Sequence, residues 1–176
     1  VAPEEGISAI QVAGEAISNM KLLRIDEETT ANVGIIEGGK ATNIVCPEVE
    51  IKAEARSINK DKLKKQTEHM VECFNKAAGK FGVTVDIDVT HSYDPVNLDV
   101  EDETVQIVKK ACEEIGVNFQ PAASGGGSDA NIFNGNGIKA VNLATGMAKV
   151  HTTEEYITIE NLNNTAKLVY QIMLRK

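Results

Sequence analysis

The chain has 176 residues, of which 42% are hydrophobic and 25% are charged, a composition typical of globular proteins. Its 18 Lys and Arg residues are outnumbered by 26 Asp and Glu residues, which gives a net charge of -8. This charge argues against a nucleic acid or an anionic membrane surface as the partner. The sequence also contains no apolar run that is long enough to span a bilayer.

The three cysteines, Cys46, Cys73 and Cys112, lack the paired spacing of a zinc knuckle or a redox dithiol. We expect them to be reduced, buried thiols, which is typical of a cytoplasmic protein. The chain begins with Val1 instead of Met, and its first residues show neither the basic segment nor the apolar core of a secretory signal. We therefore expect either a processed N-terminus or part of a longer chain.

The first half of the chain alternates helix and strand patterns. Ser8 and Gln11 form a capping-box pattern before apolar residues at helical spacing, which predicts a helix that ends near Asn19. Residues 30–37 are β-branched and apolar, which predicts a strand. Residues 48–56 alternate strictly between apolar and charged side chains, which predicts a half-buried antiparallel strand.

A second helix is predicted to begin at Asn59 or Asp61 and to end near residues 79–82. Residues 83–89 then alternate between apolar and polar side chains, which predicts another strand with one wet face. The order helix, strand, strand, helix, strand is that of a ferredoxin-like split βαβ unit without its first strand. A sheet truncated in this way leaves an unpaired edge beside its last strand.

We place a domain boundary near Tyr93, Asp94 and Pro95, which gives domains 1–94 and 95–176. In the second domain the sequence predicts a helix that ends at Gly116, a short strand at 117–120 and a buried strand at 138–144. A final helix is predicted after the cap residue Thr158. Its expected core residues are Leu162, Ala166, Val169, Ile172 and Met173.

Two segments of the second domain carry candidate chemistry. Ser124, Gly125, Gly126 and Gly127 form a run whose glycines let the backbone approach a ligand closely. His151 follows the predicted buried strand, and α/β sheets usually carry their sites at such strand ends. Spacing alone leaves two plainer interpretations open, a tight turn for the glycine run and an exposed loop residue for the histidine.

These segments, together with residues 38–45 and 49–57, resemble co-catalytic zinc exopeptidases of the peptidase T and carboxypeptidase G type. The resemblance covers the chain from Ala2 to Leu174. It implies an α/β (α+β) fold with two parts. Residues 1–94 would be a ferredoxin-like lid, or dimerisation, domain that lacks its first strand, and residues 95–176 would be the C-terminal portion of the catalytic domain.

The resemblance also implies roles for particular residues. His151 would bind one of two zinc ions, and Ser124, Gly125, Gly126 and Gly127 would offer backbone groups to the substrate. Asn43 and Arg56 would hold the polar ends of a peptide, with Asn43 reaching the site of the partner subunit. The planar fork of an Arg side chain suits a carboxylate, but an ordinary ion pair with Glu50 or Glu54 is an equally good interpretation of Arg56.

The remaining parts of a zinc site are not found in the sequence. A catalytic zinc needs about three protein ligands. His69, on a helix, and His91, in the linker, do not match the His-x-Asp pattern of the family. The sequence has four Glu-Glu pairs, and none lies in the context that would supply a general base. We therefore assign no catalytic residue and expect the N-terminal part of the family to be absent.

The resemblance implies a cytoplasmic, zinc-dependent aminopeptidase that acts on short peptides and dimerises through its lid domain. We expect the chain by itself to be incomplete and inactive. Two alternatives stay open. One is an amidohydrolase of the same family, such as an aminoacylase or deacylase, and the other is a non-catalytic dimerisation or binding module.

Overall fold

A computed structural model of the chain describes residues 2–175. The chain divides into two compact units between Pro95 and Val96, and each unit is described by itself. The first unit contains a 3-10 turn at Pro3–Glu5, followed by helix α1 (Ala9–Ser18), strands β1 (Leu23–Arg24), β2 (Thr29–Gly38) and β3 (Val49–Ser57), and helix α2 (Lys60–Phe81). The second unit contains helices α3 (Glu103–Ile115), α4 (Asp129–Gly135) and α5 (Ile159–Met173).

The sheet of the first unit is antiparallel, with the strand order β1-β2-β3. Val33 pairs with Ala53 and Ile35 pairs with Lys52, so the register shifts at Gly34. One extra residue in a strand is a β-bulge, and it reverses the alternation of the side chains that follow it. Ile36 therefore lies on the same face as Val33, which packs against the core, although Ile36 itself is 51% exposed.

Helices α1 and α2 pack on that face of the sheet and complete a small apolar core. The buried members of this core come from both helices, from the turn after α1 and from β2: Ala16, Met20, Ala31, Met70, Cys73 and Ala77. Burial of apolar surface stabilises such a core by about 25 cal/mol for each Å².

Side chains of α2 also bind the turn that follows α1. The Gln66 amide donates to the Lys21 carbonyl at 2.8 Å, and the Lys21 N–H donates to Nε2 of His69 at 3.0 Å. The Cys73 thiol donates to the Asn19 carbonyl at 3.4 Å. The half-buried His69 is therefore a hydrogen-bond acceptor within the fold.

The predicted ends of α2 are confirmed. The Asn59 side chain accepts hydrogen bonds from the N–H groups of Asp61 and Lys62, which caps the first turn. At the other end Gly82 adopts a left-handed backbone with φ of 67°, a conformation that favours glycine. The predicted extent of α1 is also confirmed, but the side chain of its cap residue, Ser8, makes no capping hydrogen bond.

The two caps give a stability prediction. Asn59→Ala removes an acceptor for two N–H groups and should lower the free energy of unfolding by about 1 kcal/mol. Ser8→Ala is the matched control and should change it by less than about 0.5 kcal/mol, because no capping bond is lost. Urea unfolding of both variants measures this difference. Equal losses would contradict the assignment of the caps.

The predicted strand at 83–89 is wrong as an element of the sheet. Residues 83–90 form no β-ladder with any other described residue, although their apolar and polar side chains alternate. A strand requires ladder hydrogen bonds to a neighbour, and alternation cannot supply them. The side of this segment that would face a neighbouring strand is unpaired.

The second unit has a core between α3 and α5. Val108, Ala111, Cys112 and Leu168 are buried there, and Phe119, Val141 and Leu143 pack against them. The predicted strands at 117–120 and 138–144 are not formed, again because these residues have no ladder partner among those described. The prediction that 138–144 is buried is also wrong, because Ile138 is 60% exposed.

The predicted core face of α5 is largely wrong. Leu162, Val169 and Met173 are exposed, Met173 by 77%. The buried residue is Leu168, and Ile172 packs beside it against α3. An amphipathic period predicts an apolar stripe, but this helix has apolar residues on two sides, and among the described residues of the second unit one side packs against α3.

The three cysteines are free and buried, as predicted. Burial raises the pKa of the Cys73 and Cys112 thiols above the ordinary value, so the reactive thiolate is disfavoured. Among residues 2–175, no helix is both long and apolar enough to cross a membrane.

Candidate functional site

The glycine run lies in an exposed loop that leads into α4. The Gly126 N–H donates to Oγ of Ser124 at 3.3 Å, and Ser128 caps the helix in a capping box with Asn131. An added Cβ at Gly125 would meet no other described group within 4 Å. Packing within the chain therefore does not require glycine at this position. Helix α4 was not predicted, although the spacing of Ser128 and Asn131 could have indicated it.

Side chains around α4 hold residues 138–144 in place. The Asn134 amide donates to the carbonyls of Ala130 and Ala140, both at 2.7 Å, and the Asn142 amide donates to Oγ of Ser128 at 2.8 Å. Hydrogen bonds from side-chain amides thus hold residues 138–144 in place of the β-sheet hydrogen bonds that were predicted for this segment. The glycine loop and residues 138–144 are joined through the start of α4.

His151 lies in a loop closed by a bridge between Ala148 and Tyr156, whose backbone groups exchange hydrogen bonds at 2.9 and 3.2 Å. The backbone of His151 is left-handed, with φ of 66°, and its N–H donates to the Glu155 carboxylate at 2.8 Å. The side chain is exposed, and its ring nitrogens form no hydrogen bond with any residue in the range 2–175. The loop therefore fixes the backbone and leaves the imidazole available.

Other contacts within the same loop restrict its conformation. Lys149 forms an ion pair with Glu154, and Oγ1 of Thr152 donates to the Lys149 carbonyl at 2.7 Å. The Glu154 N–H donates to the same hydroxyl at 3.2 Å. These short-range contacts hold the loop without a large apolar core.

Helix α5 anchors the residues that lead into this loop. The Asn161 amide donates to the Gly146 carbonyl at 3.0 Å, and Oγ1 of Thr165 donates to the Thr145 carbonyl at 3.4 Å. Residues four apart lie on the same face of a helix. Two successive turns of α5 therefore hold two successive carbonyls, and they set where the His151 loop begins.

Substitution of Gly146 tests this anchor, because the φ of Gly146 is 77° and an added Cβ would lie 2.7 Å from Cγ of Asn161. Gly146→Ala should lower the free energy of unfolding by about 2 kcal/mol, through left-handed strain and disruption of the Asn161 bond. Gly137→Ala is the control, since Gly137 has a φ of 80° and open space around it. It should cost about 1 kcal/mol.

Urea unfolding also tests the cause of this difference. In an Asn161→Gly background, Gly146→Ala should cost only as much as Gly137→Ala, because all the side-chain atoms that crowd the new Cβ have been removed. An excess cost that persists in that background would show that Asn161 is not what restricts Gly146.

Asn43 is exposed in the loop 39–48 that joins β2 to β3. The far side of this loop is anchored by Cys46, which is buried and whose carbonyl accepts a hydrogen bond from the Ala9 N–H at 2.8 Å. The Cys46 thiol also donates to the Glu48 carbonyl at 3.1 Å. Residues 40–45 are left at the surface as the tip of the loop.

Arg56 lies near the end of β3, opposite Thr30, with its side chain 47% exposed. Its guanidinium binds the Glu54 carboxylate at 2.9 Å on the face of the sheet away from the helices. That contact raises the pKa of Arg56 above its ordinary value. The ion pair considered as the plainer interpretation is therefore present, and it leaves other guanidinium N–H groups available for a ligand.

Asn43 and Arg56 are at opposite ends of the β2–β3 hairpin. Seven residue steps separate Arg56 from Val49, the first residue of β3, which is a length of about 23 Å. The loop that carries Asn43 begins beyond that point. A tripeptide is only about 10 Å long when extended.

No group of three or more His, Cys, Asp or Glu side chains arranged to hold a metal occurs within residues 2–175. Glu155 is the one carboxylate that contacts His151 in that range, and it binds the backbone N–H of the histidine. The described residues therefore do not form a zinc site by themselves. Each predicted site residue is exposed, and the roles assigned to them stay predictions.

Comparison with known proteins identifies the family. Residues 2–82 match the model of the peptidase dimerisation domain. The aminopeptidase PepT of Bacillus cereus ATCC 10987 is 48% identical, with a TM-score of 0.86, over 98% of this chain and 46% of its own. This chain belongs to the M20 peptidase family. The predicted family and the mixed α/β fold class are confirmed.

Two further M20 relatives have known structures. The tripeptidase of Staphylococcus aureus subsp. aureus Mu50 is 42% identical, with a TM-score of 0.90, over 97% of this chain and 46% of its own. The YXEP protein of Bacillus subtilis, described as a dinuclear metal binding peptidase, is 18% identical, with a TM-score of 0.70, over 94% of this chain and 45% of its own. At that identity the likeness shows the fold alone. The chain spans about half the length of these relatives.

Proposed function

We propose that the chain is part of a longer, metal-dependent peptidase that hydrolyses short peptides. The support is its similarity to an aminopeptidase and a tripeptidase over nearly all of its own length. In this proposal residues 1–94 are the lid domain and residues 95–176 are the C-terminal part of the catalytic domain. The chain by itself is inactive, because its described residues lack a complete metal site.

The observation that carries the proposal is that the loop fixes the backbone of His151 and leaves its side chain exposed. Its backbone is fixed by Glu155 and by the closing bridge of the loop, whereas its imidazole is exposed. A metal-binding histidine needs a fixed position and a free ring nitrogen, and this loop supplies both. We assign His151 as one ligand of a pair of metal ions, with zinc as the metal, and the other ligands come from outside this chain.

Arg56 and Asn43 are proposed to hold the two ends of the peptide. The guanidinium of Arg56 would bind the carboxylate through two parallel hydrogen bonds, in competition with Glu54. The length of the hairpin prevents one subunit from placing both side chains on a short peptide through its ladder alone. Asn43 therefore acts in the site of a partner subunit.

The lid offers an edge through which two subunits can pair. β1 covers only Thr30 and Ala31 of β2, so within the described residues the outer edge of β2 is unpaired from Asn32 to Gly38. Ile35 and Ile36 are exposed there, and an open apolar edge is a template for pairing with a second chain. We propose a homodimer formed by this edge and α1, located in the cytoplasm, where the free thiols stay reduced.

A non-catalytic dimerisation module is the second candidate. It is favoured by the absence of a metal-binding cluster among residues 2–175, since a lid without chemistry needs none. The two candidates differ in what the complete polypeptide binds. A peptidase binds two metal ions, and a module for dimerisation binds none.

The test is His151→Ala in the complete polypeptide, with Thr153→Ala in the same exposed loop as the control. The complete wild-type protein should contain two metal equivalents and cleave tripeptides. His151→Ala should lose at least one equivalent and lower kcat/KM by more than about 100-fold, because a direct ligand is removed. Thr153→Ala should keep both metal ions and its activity.

Metal analysis and calorimetry would also detect the results that contradict this proposal. Two metal ions retained in the His151 variant would overturn the ligand assignment. No metal in the complete wild-type protein would favour the non-catalytic module. The 176-residue chain alone should bind zinc weakly, and tight binding of two ions by that chain would contradict its proposed incompleteness.

A further inference from the structure

The loop that carries His151 contains two non-glycine residues with a left-handed backbone. Lys149 has a φ of 54° and His151 has a φ of 66°. Residues with a Cβ disfavour this conformation, because the Cβ comes too close to the following carbonyl oxygen. Both residues are exposed, so packing in a core does not impose it. Local hydrogen bonds must therefore hold the two backbones.

The backbone of Lys149 is held by a tight turn. Its carbonyl accepts hydrogen bonds from the N–H and Oγ1 of Thr152, at 3.2 and 2.7 Å. The preceding residue, Ala148, is fixed by the bridge to Tyr156. The ion pair of Lys149 with Glu154 joins only the ends of two exposed side chains, and such pairs contribute little. The turn therefore holds Lys149 without help from Glu154.

The backbone of His151 depends on a single carboxylate. Its N–H donates to Oε2 of Glu155 at 2.8 Å, and within residues 2–175 the His151 backbone makes no other hydrogen bond. Because the acceptor is ionised, this bond is shorter and stronger than one between neutral groups. The Glu155 N–H donates in turn to the Thr152 carbonyl at 3.2 Å, which fixes the backbone that carries the carboxylate.

The sign of φ decides the direction of the imidazole. Rotation of His151 from a φ of 66° to the ordinary helical value would turn its Cβ by about 130° relative to the preceding peptide. A ring turned by that angle would no longer reach the same point in space. The Glu155 carboxylate therefore influences where the ring nitrogens lie, although its hydrogen bond is to the backbone.

We propose that Glu155 is a positioning residue, which holds His151 in the left-handed conformation and so directs the imidazole at the metal. In this role the Glu155 carboxylate binds neither metal nor substrate. The inference deepens the proposed function, because it rests on the assignment of His151 as a metal ligand.

Three variants of the complete polypeptide test the proposal. Glu155→Gln keeps an oxygen that can accept the bond from the His151 N–H, whereas Glu155→Ala removes the acceptor. Glu154→Ala is the matched control, because it removes the adjacent carboxylate of the same loop and leaves the His151 backbone bond intact.

The first measurement is the NMR signal of His151 in metal-free protein that is labelled at histidine. A left-handed residue brings its own Hα and amide hydrogen close together and gives a strong cross-peak between them. Wild type, Glu155→Gln and Glu154→Ala should all show this strong cross-peak. Glu155→Ala should weaken it, because the backbone is free to return to a negative φ.

The second measurement is the affinity for metal. Glu155→Ala should weaken binding of one of the two metal ions by at least about 10-fold, as loss of a group that orients a metal-binding histidine does. Glu155→Gln should recover most of that affinity, since a neutral acceptor makes the same bond less strongly. Glu154→Ala should bind metal as the wild type does.

Two results would overturn the inference. One is a strong His151 cross-peak that persists in Glu155→Ala. The other is a loss of affinity in Glu155→Gln as large as that in Glu155→Ala, which would show that the carboxylate itself binds the metal.

Failure of the proposed function gives a different pattern. A wild-type polypeptide that binds no metal, or a His151→Ala variant that keeps both ions, would contradict the ligand assignment and with it this role of Glu155. Metal binding that requires His151 but is unchanged in Glu155→Ala would contradict the positioning role alone.

Discussion

The length of the β2–β3 ladder is the constraint on which the first unit depends. Nine residue pairs join the two strands, with one bulge at Gly34 that returns Ile36 to the face of Val33. The ladder carries the helices on one face and, at its two ends, the loop of Asn43 and the guanidinium of Arg56. Because a ladder is stiff along its strands, the distance between these two side chains is set by strand length, not by side-chain rotamers. Any shared site for a short peptide must accommodate that distance.

Both units also carry surface that their described residues do not cover. In the first unit the edge of β3 and the alternating residues 83–90 lack a ladder partner, and in the second unit one apolar side of α5 is exposed. Unpaired edges and apolar helix faces are costly to leave in water. The chain spans about half the length of the relatives to which it is similar.

The sequence predicts best where a local interaction decides the structure. Asn59 and Gly82 mark the ends of α2 because each acts on its own helix turn, and Gly116 and Thr158 do the same for α3 and α5. The two-residue strand β1 and the bulge at Gly34 were not foreseen, because register depends on the partner strand. The strands predicted at 83–89, 117–120 and 138–144 failed for the same reason, since alternation shows which residues face a core but does not supply a neighbour.

Prediction of the candidate site had the same limit. The resemblance selected His151, Asn43, Arg56 and the glycine run as separate motifs. It did not show that α5 anchors the His151 loop through Asn161 and Thr165, since those side chains lie 10 or more residues further along the chain. It also could not give the separation of Asn43 from Arg56, which follows only from the register of the hairpin.

The most direct measurement of whether two subunits share a site is the activity of mixed dimers of the complete polypeptide. Asn43→Ala and Arg56→Ala should each be nearly inactive alone. If Asn43 of one subunit serves Arg56 of the other, a mixed dimer keeps one intact site, and random reassociation of equal amounts restores about a quarter of wild-type activity. Mixed dimers that form but restore no activity would show that both side chains act within one subunit, which contradicts the separation imposed by the hairpin.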